Sequence, residues 1–195
     1  MKPVTLILAG GEGRRMNGGK PLRLLGGRTL LARTLDYAHQ LDFPVALGLR
    51  SHDQISSIPE LKIIEDRPDI EGPLGGVMAG LAWADSKGFN AVLTIPVDMP
   101  WLPDDLARRL IEKANGEPSY AYSAGNAHPI CALWPVAKLG DAECYAAKGG
   151  RSLRGLLEIL EARRVEWPVG DQDPFANLND PLALAEAEHQ LQKSR

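Results

Sequence analysis

Cysteine is scarce in this chain of 195 residues: Cys131 and Cys144 are the only two, too few for a disulfide framework. A reducing cytoplasm is therefore the expected compartment. No long apolar run is present, and the opening MKPVTLILAGGEG is too short in apolar residues for a signal peptide or a membrane span. Aromatic residues are 6% of the chain, and Trp83, Trp101, Trp134 and Trp167 lack regular spacing, so their default role is packing. A charge excess is missing as well. Lys and Arg total 22 against 25 Asp and Glu, and the net charge of -3 gives no broad field for DNA or an anionic membrane. An anionic ligand must be held locally. Cys144 has no neighbouring Cys or His pattern for zinc, and Cys131, within Ile130 to Trp134, reads as a reduced core thiol.

What is present is a globular composition, 44% apolar and 24% charged, with 20 glycines and 15 prolines to spend on loops. A prior of roughly 150 residues per domain makes one domain over 1–195 the first expectation. Val4 to Leu8 reads as a buried strand that stops at Gly10-Gly11, Leu30 to Leu41 as a helix, and Pro44 to Leu49 as a second strand. Leu61 to Ile64 is a third strand candidate, Leu74 to Trp83 a helix, and Ala91 to Val97 a fourth strand. Pro103-Asp104-Asp105 reads as the acidic first turn of a helix running to about Ala114. Tyr120 to Ser123 and Ile130 to Trp134, separated by Gly125-Asn126, read as an antiparallel hairpin. Ser152 to Glu161 and Pro181 to Gln192 read as helices, the second capped by Asp180. The pattern predicts an α/β fold in three layers, α/β/α and Rossmann-like, with a mostly parallel sheet and an antiparallel addition.

Between Leu8 and Pro21 the first strand meets a glycine-rich, cationic loop. Amides around Gly10, Gly11 and Gly13 can converge on phosphate oxygens, while Arg15 and Lys20 neutralise charge. A solvated turn is the plain alternative. Two familiar nucleotide loops fail on their own terms. A dinucleotide loop starting at Gly11 would put Met16 where its third glycine belongs. A Walker A loop ending at Gly19-Lys20 would put Arg14 at its first glycine and Pro21 at its hydroxyl position.

The segment instead resembles the Leu-Ala-Gly-Gly-x-x-x-Arg-Met…Lys loop of the Rossmann-like nucleotidyltransferases, and among them the molybdenum cofactor guanylyltransferases. Gly72-Pro73-Leu74-Gly75-Gly76, Asp98-Met99-Pro100, His128-Pro129 and Phe175-Ala176-Asn177-Leu178-Asn179-Asp180-Pro181 follow in that family's order. Three departures stand out. Gly19 replaces an acidic residue before the loop lysine, the spacing from Met16 to Lys20 is short, and an asparagine near Gly48-Leu49-Arg50 is missing. The resemblance implies transfer of GMP from MgGTP to molybdopterin-bound molybdenum cofactor, with release of pyrophosphate. GTP and the cofactor are the partners so implied, and transient docking of molybdoenzymes or cofactor-delivery proteins stays open. The rivals are a CTP-dependent molybdopterin or other small-phosphate nucleotidyltransferase, and a nucleotide-binding regulator without catalysis.

The expected site follows. Leu8, Ala9, Gly10, Gly11 and Gly13 would hold the triphosphate, with Arg15 and Lys20 as its cations. Asp98, placed after a strand at the carboxyl edge of the sheet, is the candidate Mg²⁺ ligand, or else a helix cap. Asp66 stands in the same relation to its own strand, and the resemblance assigns it to the guanine nucleotide site, with a loop-capping aspartate as the alternative. Gly72, Pro73, Leu74 and Gly75 would let backbone approach the nucleotide at a helix start, or form a structural turn. For the acceptor the candidates are His128, Arg151, Asn177 and Asn179. The two asparagines serve the pterin or a metal in one reading and cap a helix in the other.

Overall fold

Pro3–Leu8 (β1) buries Val4 and Leu6 on one side and Ile7 on the other, so the strand has to be covered on both faces. The computed structural model, which describes residues 1–10, 19–55 and 61–193, shows how. β1 pairs in parallel with Val45–Leu49 (β4) on one edge and Ala91–Pro96 (β6) on the other, and Lys62–Glu65 (β5) extends the sheet beyond β4. Asn126–Pro135 (β8) lies antiparallel to both β6 and Ser119–Ser123 (β7), and Arg163–Glu166 (β9) closes the far edge parallel to β7. Among the described residues the sheet has seven strands in the order β5-β4-β1-β6-β8-β7-β9.

Leu30–Gln40 (α1), Leu106–Ala114 (α3) and Pro181–Lys193 (α6) cover one face, with Ile7, Leu47, Leu93 and Cys131 beneath them. Pro73–Ser86 (α2), Leu139–Ala147 (α4) and Leu153–Ile159 (α5) cover the other, over Val4, Leu6, Ala46 and Trp134. The expected three-layer α/β architecture is what forms. α2 lies unusually close to β1, because a Cβ on Gly80 would come within 2.4 Å of Leu6 Cδ2. Among the described residues no helix is long and apolar enough to cross a membrane.

Several local expectations change. The β7–β8 turn consists of Ala124 and Gly125, with φ of 47° and 78°, the left-handed pair that suits a two-residue hairpin; Asn126 already belongs to β8. α3 starts at Leu106 instead of Pro103, with Asp105 as the residue before it; the Asp105 carboxylate makes no cap bond and accepts from Trp167 Nε1 at 2.7 Å. The short hairpin of Leu24–Leu25 (β2) and Arg28–Thr29 (β3), α4, and β9 have no counterpart in the sequence reading. Asp180 does cap α6, its Oδ1 accepting from Ala183 N at 2.9 Å.

Candidate active site

Four parallel strands end side by side, and each delivers a residue to one cleft of about 450 Å³. From β1 come Leu8, Ala9 and Gly10; from β4, Arg50; from β5, Asp66; from β6, Pro96, Val97 and Asp98. Gly72, Pro73 and Gly76 at the start of α2 form a wall, and Ile130 of β8 another. The crevice lies at the carboxyl ends of parallel strands, where open α/β sheets bind ligands.

One end of the cleft is built on charge. Lys20 opens a single 3₁₀ turn, and its Nζ donates to Asp98 Oδ2 at 2.5 Å and to Asn179 Oδ1 at 2.7 Å. Gly19, just before it, has φ of +62°, a left-handed conformation that glycine takes freely. Asn177 faces the same carboxylate: with its amide nitrogen turned inward, that nitrogen is 3.3 Å from both Asp98 oxygens. The Asp98 carbonyl oxygen accepts from Leu178 N at 2.9 Å, which fastens the loop before α6 to the end of β6. Asp98 is therefore part of a polar cluster, and the helix cap reading of it falls.

At the other end stands Asp66. Its carboxylate fits between two glycines, since a Cβ on Gly10 would lie 2.8 Å from Oδ2 and one on Gly76 2.8 Å from Oδ1. Burial raises its pKa, and the nearby Arg50 guanidinium works in the opposite direction. The Gln54 amide braces this corner, with Nε2 donating to Ala9 O at 3.1 Å and Oε1 accepting from Arg50 N at 3.0 Å.

The cleft joins Leu8, Ala9, Gly10, Lys20, Asp66, Gly72, Pro73 and Asp98, all singled out by sequence. Gly11, Gly13 and Arg15 lie outside the described residues. Leu74 and Gly75 do not face the cleft. A helix turns about 100° per residue, so Pro73 and Gly76 share its wall while Leu74 is fully buried in the core. Gly75 serves packing: a Cβ there would be 2.5 Å from Ile70 O. Arg151 lines a separate cleft with Arg67 and Asp69, and its Nη1 donates to Ala146 O at 2.9 Å and Gly150 O at 2.8 Å.

His128 has its ring stacked on Phe175, centroids 4.7 Å apart, and its Nε2 is 2.7 Å from Ser123 Oγ. Burial lowers the His128 pKa, against the charge of Asp173 and the contact with Ser123. Sequence reasoning passed over Ser123 and Asp173, which have no local pattern, and Arg50 and Gln54, whose only signal is a position just past a strand. Cys131 is fully buried beside Met99, sulfurs 3.4 Å apart, and burial pushes its thiol pKa well up. It is inert.

Residues 5–165 match a family model described as the MobA-like NTP transferase domain. Over 194 residues the chain is 39% identical to a protein of Cereibacter sphaeroides named molybdenum cofactor guanylyltransferase, with 99% of each chain covered. The chain belongs to the MobA-like NTP transferase family. It is a nucleotidyltransferase and hence an enzyme, as the resemblance in its motifs implies. The crystal structure of molybdopterin-guanine dinucleotide biosynthesis protein A from Archaeoglobus fulgidus superposes with a TM-score of 0.78 at 25% identity, covering 97% of this chain and 99% of that one. Rv0371C of Mycobacterium tuberculosis H37Rv, solved in complex with manganese, shares the fold with a TM-score of 0.66 at 15% identity over the whole of both chains.

Proposed function

We propose that this enzyme transfers GMP from GTP to the terminal phosphate of molybdopterin-bound molybdenum cofactor, in the cytoplasm and with Mg²⁺, forming the guanine dinucleotide cofactor and pyrophosphate. One catalytic unit spanning 1–195 carries the reaction. The observation that supports it best is the polarity of the cleft: a half-buried carboxylate, Asp66, at one end, and the Lys20–Asp98 pair with Asn177 and Asn179 at the other. Guanine presents two adjacent donors, N1–H and the exocyclic amine, to a carboxylate, whereas cytosine presents only one amine. Asp66 therefore favours GTP over CTP. The base at Asp66 directs the triphosphate past Gly10 toward Lys20.

Hard oxygen donors suit Mg²⁺, which takes one or two carboxylates and completes its shell with phosphate oxygens and water. Asp98 offers such a carboxylate, with the Asn177 and Asn179 amides beside it. When bound there, the ion supplies neutralisation of triphosphate charge at the reacting end. The rest falls to the chain. Gly10 lets phosphate approach the backbone, and Gly11, Gly13 and Arg15, by their place in the sequence, belong to the same loop. The acceptor phosphate monoester, with a second pKa of about 6, is largely dianionic and needs no general base. One of its oxygens bonds to the α-phosphorus as the bond to the β-phosphate oxygen breaks, and Lys20 follows the charge onto departing pyrophosphate. Asn177 and Asn179 face the acceptor side of the cluster.

The test is incubation of the protein with purified molybdenum cofactor, Mg²⁺ and either GTP or CTP, followed by mass identification of the product and measurement of pyrophosphate. A guanine dinucleotide product is the expected result. A cytosine product would replace this reading with the CTP one, and nucleotide binding without pyrophosphate would make the protein a regulator.

A further inference from the structure

We propose that Asp173, Ser123 and His128 are positioning residues, a clamp that fixes the loop bearing Asn177 and Asn179 against Asp98 and Lys20. The proposal takes from the reading above only that these asparagines serve the transfer. Ser123 is fully buried at the end of β7, and its Oγ lies 2.7 Å from both Asp173 Oδ1 and His128 Nε2. A carboxylate can only accept, so the single hydroxyl proton goes to Asp173, and His128 must donate from Nε2 to Ser123 Oγ. The histidine singled out for the acceptor phosphate thus has that nitrogen committed to Ser123.

The clamp grips the loop at two levels. Asp173 Oδ1 also accepts from Phe175 N at 2.9 Å, and the Phe175 ring, 1% exposed, is held between His128 and Trp167, centroids 4.7 and 5.3 Å away. Trp167 is itself fixed by Asp105, and Arg109 lies over its ring at 4.3 Å. Three residues on, Leu178 N is bonded to Asp98 O. Asn177 lies between these anchors and Asn179 just beyond them. A turn at Asp173 would need only its own bond to Phe175. The buried serine 50 residues away adds a reference to the sheet, so the asparagines are placed relative to β7 and β8 as well as to β6.

Asp173→Ala removes the clamp at its centre, Asp173→Asn keeps an oxygen that accepts both bonds, and His128→Phe keeps the ring stack while deleting the bond to Ser123. The readouts are hydrogen exchange at the Phe175 and Leu178 amides and, separately, kcat and KM for GTP. Asp173→Ala should speed exchange at both amides with β1 and β6 protected as in wild type. Its kcat should drop about 10- to 100-fold, the cost of a small misplacement, with KM for GTP within about twofold. Asp173→Asn should restore most of both. His128→Phe should move both readouts in the same direction, and serves alone if Asp173→Ala does not fold. Wild-type exchange at Leu178, wild-type kcat, or an equal loss of GTP binding overturns the proposal. Exchange needs no substrate, so a wild-type protein that makes no guanine dinucleotide defeats the functional reading while leaving the clamp independently measurable.

Discussion

Lys20 Nζ and Asp98 Oδ2 are 2.5 Å apart across 78 residues of sequence, and each side chain is 14% exposed. Charge so shielded is weakly screened, and the pair governs the electrostatics of its end of the cleft.

Lys20→Ala should therefore cut turnover much more than nucleotide affinity. If the ammonium follows charge onto the departing phosphates, its loss costs about 10²–10³ in kcat, the scale of a lost oxyanion donor. Single-turnover rates beside calorimetric GTP affinities separate the two effects. Weakened affinity with turnover intact would make Lys20 a binding residue only.

Asp98→Asn keeps the shape of the side chain and removes its charge. Mg²⁺-dependent transfer should fall by about 10²–10³ or more, while far-UV circular dichroism and a cooperative melt persist. A Mg²⁺ titration decides the point, because near-normal turnover at ordinary Mg²⁺ in a folded variant places the metal elsewhere.

Asp66 yields a prediction with a definite sign in pH. Its native pKa is raised by burial, so the native state holds that proton more tightly than the unfolded chain does. The resulting stabilisation is present below the unfolded value and is lost as pH rises through the native one, leaving a partly desolvated charge as a penalty at neutral pH. Asp66→Asn should melt higher than wild type at pH 7, and the gap should close as the solution is acidified toward the ordinary aspartate range. GTP affinity should fall together with its margin over CTP, by about 1–3 kcal/mol for a lost base contact. A variant that gains no stability at pH 7, or keeps its guanine preference, refutes the assignment.

Gly80→Ala tests the approach of α2 to the sheet. The new methyl would sit 2.4 Å from Leu6 Cδ2, and Leu6 is 1% exposed and hemmed in. Overpacking of about 1–3 kcal/mol should outweigh the helix propensity gain of about 1 kcal/mol. Thermal melting should show a loss of about 2–4 °C for each net kcal/mol. An unchanged or higher midpoint would mean that Leu6 finds another rotamer.

Local chemistry made much of this legible in the sequence. Continuous apolar runs marked β1 and β6 because both are buried on two faces, and the glycine and proline breaks after them marked where a ligand edge begins. β9 escaped notice because Arg163-Arg164-Val165-Glu166 is mostly charged and buries one side chain, leaving no apolar run to mark it. α4 escaped because Leu139-Gly140-Asp141-Ala142 buries a single alanine. The same logic divides the site. Lys20, Asp66 and Asp98 follow from strand ends and loop motifs, whereas Ser123 and Asp173 acquire meaning only when a hairpin and a distant loop meet in space.

The bond from Lys20 to Asn179 spans 159 residues, while the last strand of the sheet ends at Glu166. During synthesis every strand is out of the ribosome before the loop that completes the cluster. A nascent chain halted shortly after β9 holds every strand of the described sheet, yet lacks both asparagines and the anchor at Leu178. Domains fold as units as they emerge. In chain order the cluster at Asp98 is thus completed last, by the same segment that brings Phe175, Leu178 and Ala187 to the core.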